Sequence, residues 1–391
     1  MEKWKLPNDW GWKKLQEVVE INYGKGLAER QRQGGITPVY GANGVVGQHN
    51  VTLTKGTTII IGRKGSAGAV NFSEVACWPI DTTYFIDQFP EFLEPRYLYH
   101  FLRSQPLSDL RQIAAIPGLN RDVLYSVEIP IPYPNEPTRS LETQRRIVIR
   151  LEALLAEVAE ARELQEKIVE DTTTLPEAFL GEVFPEKTDW QMDPIRKFAE
   201  VKGGKRLPKG QPFADKQTKF PYLRVVDFKD FSIDASNLKY LTPEIQEQIK
   251  RYTISKDDIY ISIAGTIGLV GTVPPELDGA NLTENAAKIV IQPEYKDKIN
   301  IWFLVYYLAS SSGKVQIQKG TKAAGQPKLA LMRIETIEVP TPDINIQQRI
   351  VIYIDSVREE VKEMNNAQKE NAELITRLEQ SFLAQAFRGE L

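Results

Sequence analysis

A stretch of about forty residues occurs twice in this chain, and that repetition limits the folds open to it more than anything else. Residues 144–182 read QRRIVIRLEALLAEVAEARELQEKIVEDTTTLPEAFLGE, and residues 347–390 read QQRIVIYIDSVREEVKEMNNAQKENAELITRLEQSFLAQAFRGE. In the first copy Ile147, Leu151, Leu154, Val158, Ala161, Ile168, Thr172, Leu175 and Phe179 recur at steps of four and three. In the second, Ile350, Ile354, Val357, Val361, Met364, Ile375, Leu378 and Phe382 do the same. Such a heptad seam predicts a long helix packed along its length against another helix. Ile147 to Phe179 maps onto Ile350 to Phe382 at a constant offset of 203. Both copies close on Ala-Phe-X-Gly-Glu, with the second expected to run longer before its glycine stop at Gly389. A helix of about 36 residues spans about 54 Å, and two of them in one chain are expected to pair as an antiparallel coiled coil. Polar interruptions at Gln165, Gln368 and Asn371 suit the setting of register.

The segment ahead of each helix is repeated too. LPNDWGWKKLQEVVEINYGKGL (6–27) has a counterpart in EKTDWQMDPIRKFAEVKGGKRL (186–207) at an offset of 180. Asp9-Trp10 meets Asp189-Trp190, and Gly24 meets Gly204. The unit of duplication is therefore a globular domain followed by a helix, and a pseudo-two-fold molecule is expected. Since the offset grows from 180 to 203, the second domain carries about 23 extra residues in its middle. The expected division is a first domain at 1–138, a helix at 139–184, a second domain at 185–343 and a second helix at 344–391.

The first domain reads as mixed α/β. ITPVYGANGVVGQHN (36–50) and TTIIIGRKGSAGAVNF (57–72) are β-branched runs around glycine turns, and WPIDTTYFI (78–86) is another strand. EPRYLYHFLRSQPLSDLRQI (94–113) has helical spacing, and 116–132 returns as an extended edge. The second domain follows the same plan. Strands are expected at 219–233, 257–273 and 283–292, a helix at 300–318 and a basic return at 319–342.

Charge is segregated within a chain whose net charge is only −3. Residues 150–171 carry a net −4, whereas 201–230 and 311–333 each carry a net +5, so the helices are acidic and the second domain has basic patches. A single cysteine, Cys77, rules out an intramolecular disulfide and a cysteine-based zinc site, and two histidines rule out a histidine-rich one. No apolar run approaches the eighteen or so residues of a membrane span. A cytoplasmic protein with no membrane partner is expected.

Several phrases carry a specific resemblance. They are the openings of the two helices, IPIPYPNEPTRSLETQRRIV and VPTPDINIQQRIV, the ending AFRGEL, and PVYGANGVVG, IGRKGSAG, GKRLPKG, PYLRVVDF, LTENAAKI and KGTKAAGQPKL inside the domains. Together and in this order the chain resembles the DNA-specificity subunit of type I restriction–modification enzymes over essentially its whole length. One departure is that the first helix ends LPEAFLGEVF, with Pro176 in its last turns. The resemblance implies two target-recognition domains reading a bipartite, asymmetric double-stranded DNA target. It also implies two methyltransferase subunits docked on the outer helix faces, and restriction (translocase) subunits bound to that core. S-adenosylmethionine, ATP and magnesium would sit on those partners, with no cofactor in this chain.

The residues themselves offer no rival chemistry. GRKGSAG lacks the Gly-Lys-Ser/Thr ending of a P-loop, no GxGxxG is present, and the Asn/Asp-Pro-Pro-Tyr/Phe stretch of adenine aminomethyltransferases is missing. The chain reads as non-catalytic and metal-free. As a DNA reader it would set register with cations on phosphates and reach base edges from its glycine turns. Candidates in the first domain are Tyr40, Asn43, Arg63, Lys64, Ser66, Asn120 and Arg121; Arg63 suits guanine and Asn43 adenine. In the second they are Lys205, Arg206, Lys209, Arg224, Lys322, Gln326 and Lys328. Two have plain structural readings: Arg224, between apolar neighbours, as half of an internal ion pair, and Asn43 as a turn residue at positive φ. A rival for the whole chain is a coiled-coil adaptor whose domains bind proteins; it would lack the steep salt dependence of DNA binding.

Overall fold

Glycine turns between β-branched runs organise both halves of the chain alike. The computed structural model describes residues 4–110, 118–185, 189–322 and 327–391. The chain forms two compact units, Met1–Lys167 with Lys369–Leu391, and Ile168–Gln368. Each long helix is divided between them, so each unit holds one domain, the start of one helix and the end of the other.

In the first unit a four-stranded antiparallel sheet runs in the order Asn22–Tyr23, Thr83–Ile86, Thr58–Gly62, Val70–Ser73. Every residue of Thr58–Gly62 is buried, which is why that strand reads as an unbroken apolar run instead of an alternating one. A second sheet sets Gly44–His49 antiparallel and Trp78–Pro79 parallel to Thr37–Gly41. Trp10–Lys14 pairs with Glu128–Pro132. The second unit repeats this. Its main sheet runs Ala199–Gly203, Ala286–Ile291, Ile259–Ser262, Val270–Thr272, and Met192–Pro194 pairs with Glu338–Pro340. Its smaller sheet again has one parallel pair, Pro221–Leu223 with Ala280–Leu282. Most of the extra length lies between Pro221–Leu223 and Ile259–Ser262, where the second domain adds the helix Pro243–Ile249 and its own small core around Tyr222, Leu241, Ile245 and Ile249.

The long helices are Pro137–Val183 and Ile344–Arg388, 47 and 45 residues long. The expected shortening of the first does not occur. Pro176 removes one donor to the preceding turn, yet the helix continues because Leu180, and Phe184 just beyond its end, are anchored in the core of the second unit. Within the first unit Ile147 and Leu151 share a core with Leu383 and Phe387, while Arg162 meets Glu379 at 3.0 Å. One helix advances as the other retreats, so the two segments run antiparallel there.

The seam is buried unevenly. Ile147, Leu151 and Val158 are buried in the first unit, as are Ile354 and Val361 in the second. Leu154, Phe179, Ile350, Val357, Ile375 and Phe382 are half-buried. Ile168, Leu175, Met364 and Leu378 are exposed by 44%, 43%, 41% and 48%. Burial is deepest, at 0–2% exposed, at Ile147, Leu151 and Ile354, which share a core with a domain.

Three expected elements differ. The helix from residue 94 ends at Ser104, because Gln105 precedes Pro106 and is pushed out of the α region. The return at 116–132 is not wholly extended, for the short helix Arg121–Tyr125 precedes its strand, as Leu331–Glu335 does in the basic return of the second domain. The helix at 300–318 is two, Ile301–Ala309 and Ser311–Gly320, broken at Ser310, whose side chain accepts from Gly313 and caps the second.

Equivalent joints fasten domain to helix. Gln144 is fully buried; its Oε1 accepts from Glu94 N (2.9 Å) and its amide donates to Phe92 O (2.8 Å). Gln347, also fully buried, accepts from Asn300 N and donates to Lys298 O, both at 2.9 Å. A second joint differs in chemistry. In the first unit buried His100 approaches Glu152 at 3.1 Å, and Arg96 donates to the same carboxylate at 2.8 Å. In the second unit the corresponding Tyr306 hydroxyl bonds Asp355 and accepts from Arg358 at 2.7 Å.

Burial holds the His100 imidazole below its usual pKa, with Arg103 and Arg96 adding to the effect and Glu152 opposing it. Its Nδ1 is enclosed without a partner, which a neutral ring tolerates better than a protonated one. Because the folded-state pKa is depressed, this stability is present above the unfolded histidine value of about 6.5 and is lost as pH falls below it. Burial alone would raise the Glu152 carboxyl, but His100 and Arg96 outweigh it and hold it below its usual range, so its own loss comes at lower pH. His100→Gln is expected to flatten the decline in melting temperature between pH 7 and 5.5. An unchanged decline in the variant would remove His100 as its source.

Candidate nucleic-acid interface

In the first domain the glycine turn after Thr58–Gly62 positions the cations. Gly65 and Gly68 take φ of +71° and +92°, values that favour glycine, and Gly68 N returns to Gly62 O at 2.8 Å. Arg63 sits at the base of the turn. Its N–H donates to Thr82 O at 2.8 Å and its carbonyl accepts from Leu119 N at 3.0 Å, so its backbone is held from both sides. Lys64 and Ser66 are exposed on the turn itself, and Lys64 bridges to Gly118. Arg121 opens the short helix that follows, and Asn120 caps that helix by accepting from Asp122 N at 2.8 Å.

Arg63, Lys64, Ser66, Asn120 and Arg121 are thus brought together, with aromatic residues that sequence reasoning missed. The Arg63 guanidinium lies over Tyr23 at 5.1 Å and Tyr84 at 5.9 Å. That of Arg121 lies 4.8 Å from Tyr23 and 5.8 Å from Tyr125. Tyr84 donates to Leu119 O and Tyr125 accepts from Ile21 N, so two of the rings are fixed by their hydroxyls. Nearby, Lys25 lies over Trp78, whose indole donates to Lys25 O at 2.9 Å. The available signal was slight: Tyr23 stands directly before the glycines of INYGKGL, and Trp78 and Tyr84 lie in CWPIDTTY.

Asn43 stands on the neighbouring hairpin turn, exposed; a Cβ on Gly62 would come 3.2 Å from Ala42, so the two turns touch. The positive φ there belongs to Gly44 (+111°) and not to Asn43. Tyr40 is half-buried, its hydroxyl 3.4 Å from Phe72 O.

The second domain builds the same turn from other residues. Gly265 and Gly268 take φ of +77° and +90°, and Leu329 N donates to Ile263 O at 2.9 Å. Lys328 is exposed beside the turn and is the register partner of Lys322; Gln326 lies outside the described residues. Lys205 lies 5.6 Å over Tyr252, a residue of the inserted segment, and its carbonyl accepts from Tyr222. Lys209 is exposed.

Two of the candidate arginines are paired within the domain. Arg206 bonds Glu284, which raises its pKa; burial pushes the Glu284 carboxyl up, but Arg206 and neighbouring hydrogen bonds bring it below its usual range. Arg224 is corrected more firmly. Its guanidinium donates to both oxygens of buried Asp227, at 3.1 and 2.7 Å, and to Asn237 O at 2.8 Å. That is the internal ion pair, and freeing Arg224 would strand a buried carboxylate.

Among the described residues no group of His, Cys, Asp and Glu is arranged to hold a metal ion, and no helix is long and apolar enough to cross a membrane. What the two domains present is a repeated recognition scaffold. The sequence profile of the type I restriction modification DNA specificity domain matches residues 7–169 and 187–374. The chain belongs to that family. It is 33% identical over 188 residues to the type I restriction enzyme EcoBI specificity subunit of Escherichia coli, a match covering 46% of this chain and 37% of that protein. To the EcoDI specificity subunit of the same species it is 23% identical over 100% of this chain and 90% of the relative. Two solved structures share the fold. One is a chain from a study of complex assembly and conformational transition of the type I R-M system (TM-score 0.77, 21% identity, 100% of both chains). The other is the HsdS subunit of Thermoanaerobacter tengcongensis (TM-score 0.63, 23% identity, 99% of both chains).

Proposed function

We infer that this chain is the sequence-reading subunit of a type I restriction–modification complex, non-catalytic itself. Each domain reads one half of a bipartite, asymmetric double-stranded DNA target. The observation that carries this reading is the duplicated fold of a DNA specificity family whose first domain gathers two arginines and a tyrosine beside a glycine turn. The partners are two methyltransferase subunits and, on that core, restriction (translocase) subunits. S-adenosylmethionine, ATP and magnesium belong to those partners. Lys64, Ser66, Lys205, Lys209, Lys322 and Lys328 are assigned to phosphates, whereas Asn43 and Arg63 are assigned to base edges.

The test is a modified-base map of genomic DNA from source cells with and without the gene. A split motif with a fixed gap is expected to lose adenine methylation on deletion. If the chain co-purifies with a methyltransferase and the map still does not change, the reading fails. DNA binding that ignores salt would favour the adaptor instead.

A further inference from the structure

The two domains superimpose by their hydrogen bonds, so positions can be equated without relying on side chains. Leu119 N to Arg63 O corresponds to Leu329 N to Ile263 O, and Gly24 N to Thr83 O corresponds to Gly204 N to Ala286 O. In the paired strands Tyr23 opposite Tyr84 corresponds to Gly203 opposite Ala287. The first residue of the short helix is Arg121 in one domain and Leu331 in the other. Arg63, Arg121, Tyr23 and Tyr84 are thus replaced in the second domain by Ile263, Leu331, Gly203 and Ala287. Ile263 is buried and Leu331 packs on the hydrophobic core.

The cluster in the first domain also brings two cations together without a carboxylate partner among the described residues. Arg96, Arg103, Arg139, Arg145 and Arg162 all meet carboxylates. Among the described residues neither Arg63 nor Arg121 does. Their guanidiniums reach backbone carbonyls only at long range, Asp81 O at 3.4 Å and Ile21 O at 3.5 Å. Two like charges converge on one ring, Tyr23, itself 49% exposed. No carboxylate among the described residues neutralises them, while stacking on tyrosines restrains the guanidinium planes. A restrained guanidinium is suited to bidentate pairing with guanine O6 and N7.

Resting on the reading of the chain as a specificity subunit, we propose that Arg63 and Arg121, braced by Tyr23, form a guanine reader belonging to the first domain alone. The second domain reads its half-site from other loops. At least one guanine in the first half-site is then specified by this cluster, and the second half-site has no counterpart at the equivalent position.

The experiment uses the complex with its methyltransferase subunits and the duplex identified by the base map. Guanines are replaced one at a time by 7-deazaguanine, which lacks the N7 acceptor. Wild-type binding is expected to weaken roughly 5- to 150-fold at one or two guanines of one half-site, the range for one bidentate base contact. Arg63→Lys and Arg121→Lys keep the charge but lose the fork. Each is expected to lose a similar factor on the natural target, to lose nothing more on the substituted duplex, and to bind scrambled DNA as wild type does. Lysine variants that discriminate like wild type overturn the proposal, as do variants weakened equally on target and scrambled DNA, which would mark phosphate contacts. Those results leave a sequence-selective complex in hand. A complex with no selectivity at all overturns the reading of the chain itself along with the proposal.

Discussion

An alanine at Phe387 is expected to cost the first unit about 3–5 kcal/mol, the usual range for emptying a buried phenylalanine site. Phe387 is 1% exposed, and its ring meets Tyr97 and Phe101 edge-on, each at 5.2 Å. Its carbonyl accepts from the Trp4 indole at 3.2 Å. The same substitution at Phe184 should weaken the second unit by a comparable amount, since Phe184 packs on Phe303 at 5.3 Å and Tyr307 at 5.6 Å. Leu378→Ala, at a seam position 48% exposed, should cost less than about 1 kcal/mol. Hydrogen exchange separates the units: Phe387→Ala should deprotect amides of Thr58–Gly62 before those of Ile259–Ser262, and Phe184→Ala the reverse. Uniform deprotection in both variants would contradict the assignment of each aromatic residue to one core.

Gln144→Leu should cost about 2–6 kcal/mol, although the leucine is nearly isosteric. It leaves the Glu94 N–H and the Phe92 carbonyl without their partner, at about 1–3 kcal/mol for each buried group. Glu94 is the residue that starts the helix Pro95–Ser104, so this loss would loosen the seat of the helix on the first long helix. Gln347→Leu should act likewise through Asn300, Lys298 and Pro342. Equilibrium urea unfolding gives the comparison. A Gln144→Leu variant as stable as wild type would mean that water replaces the amide.

The duplication was legible because heptads and glycine turns repeat at fixed offsets, and these encode local geometry directly. The break at Ser310 was not read, although the polar stretch SSSGK (310–314) interrupts the apolar run there, because helical spacing resumes beyond it and the stop is made by a side-chain cap. Pro176 misled in the opposite direction: proline argues locally for an end, but anchoring of Leu180 and Phe184 in a distant core overrides it. At the candidate site the sequence identified Arg63 and Arg121 but not Tyr23, 40 and 98 positions away from them, because stacking partners lie on a separate strand. Arg224 shows the converse. A basic residue amid apolar neighbours suits a contact surface or a buried pair equally, and only the position of Asp227 decides between them.

The division of each long helix between the units imposes an order of synthesis. The second unit, Ile168–Gln368, is one uninterrupted stretch and has all of its core once residue 368 has left the ribosome. The first unit begins earlier yet lacks Leu383, Ala386 and Phe387 until about two hundred further residues have been made. At about 5–20 residues per second that is a wait of roughly 10–40 s. Throughout it Tyr97 and Phe101 lack their cover, so the domain translated first is the one that must be kept from sticking to other chains.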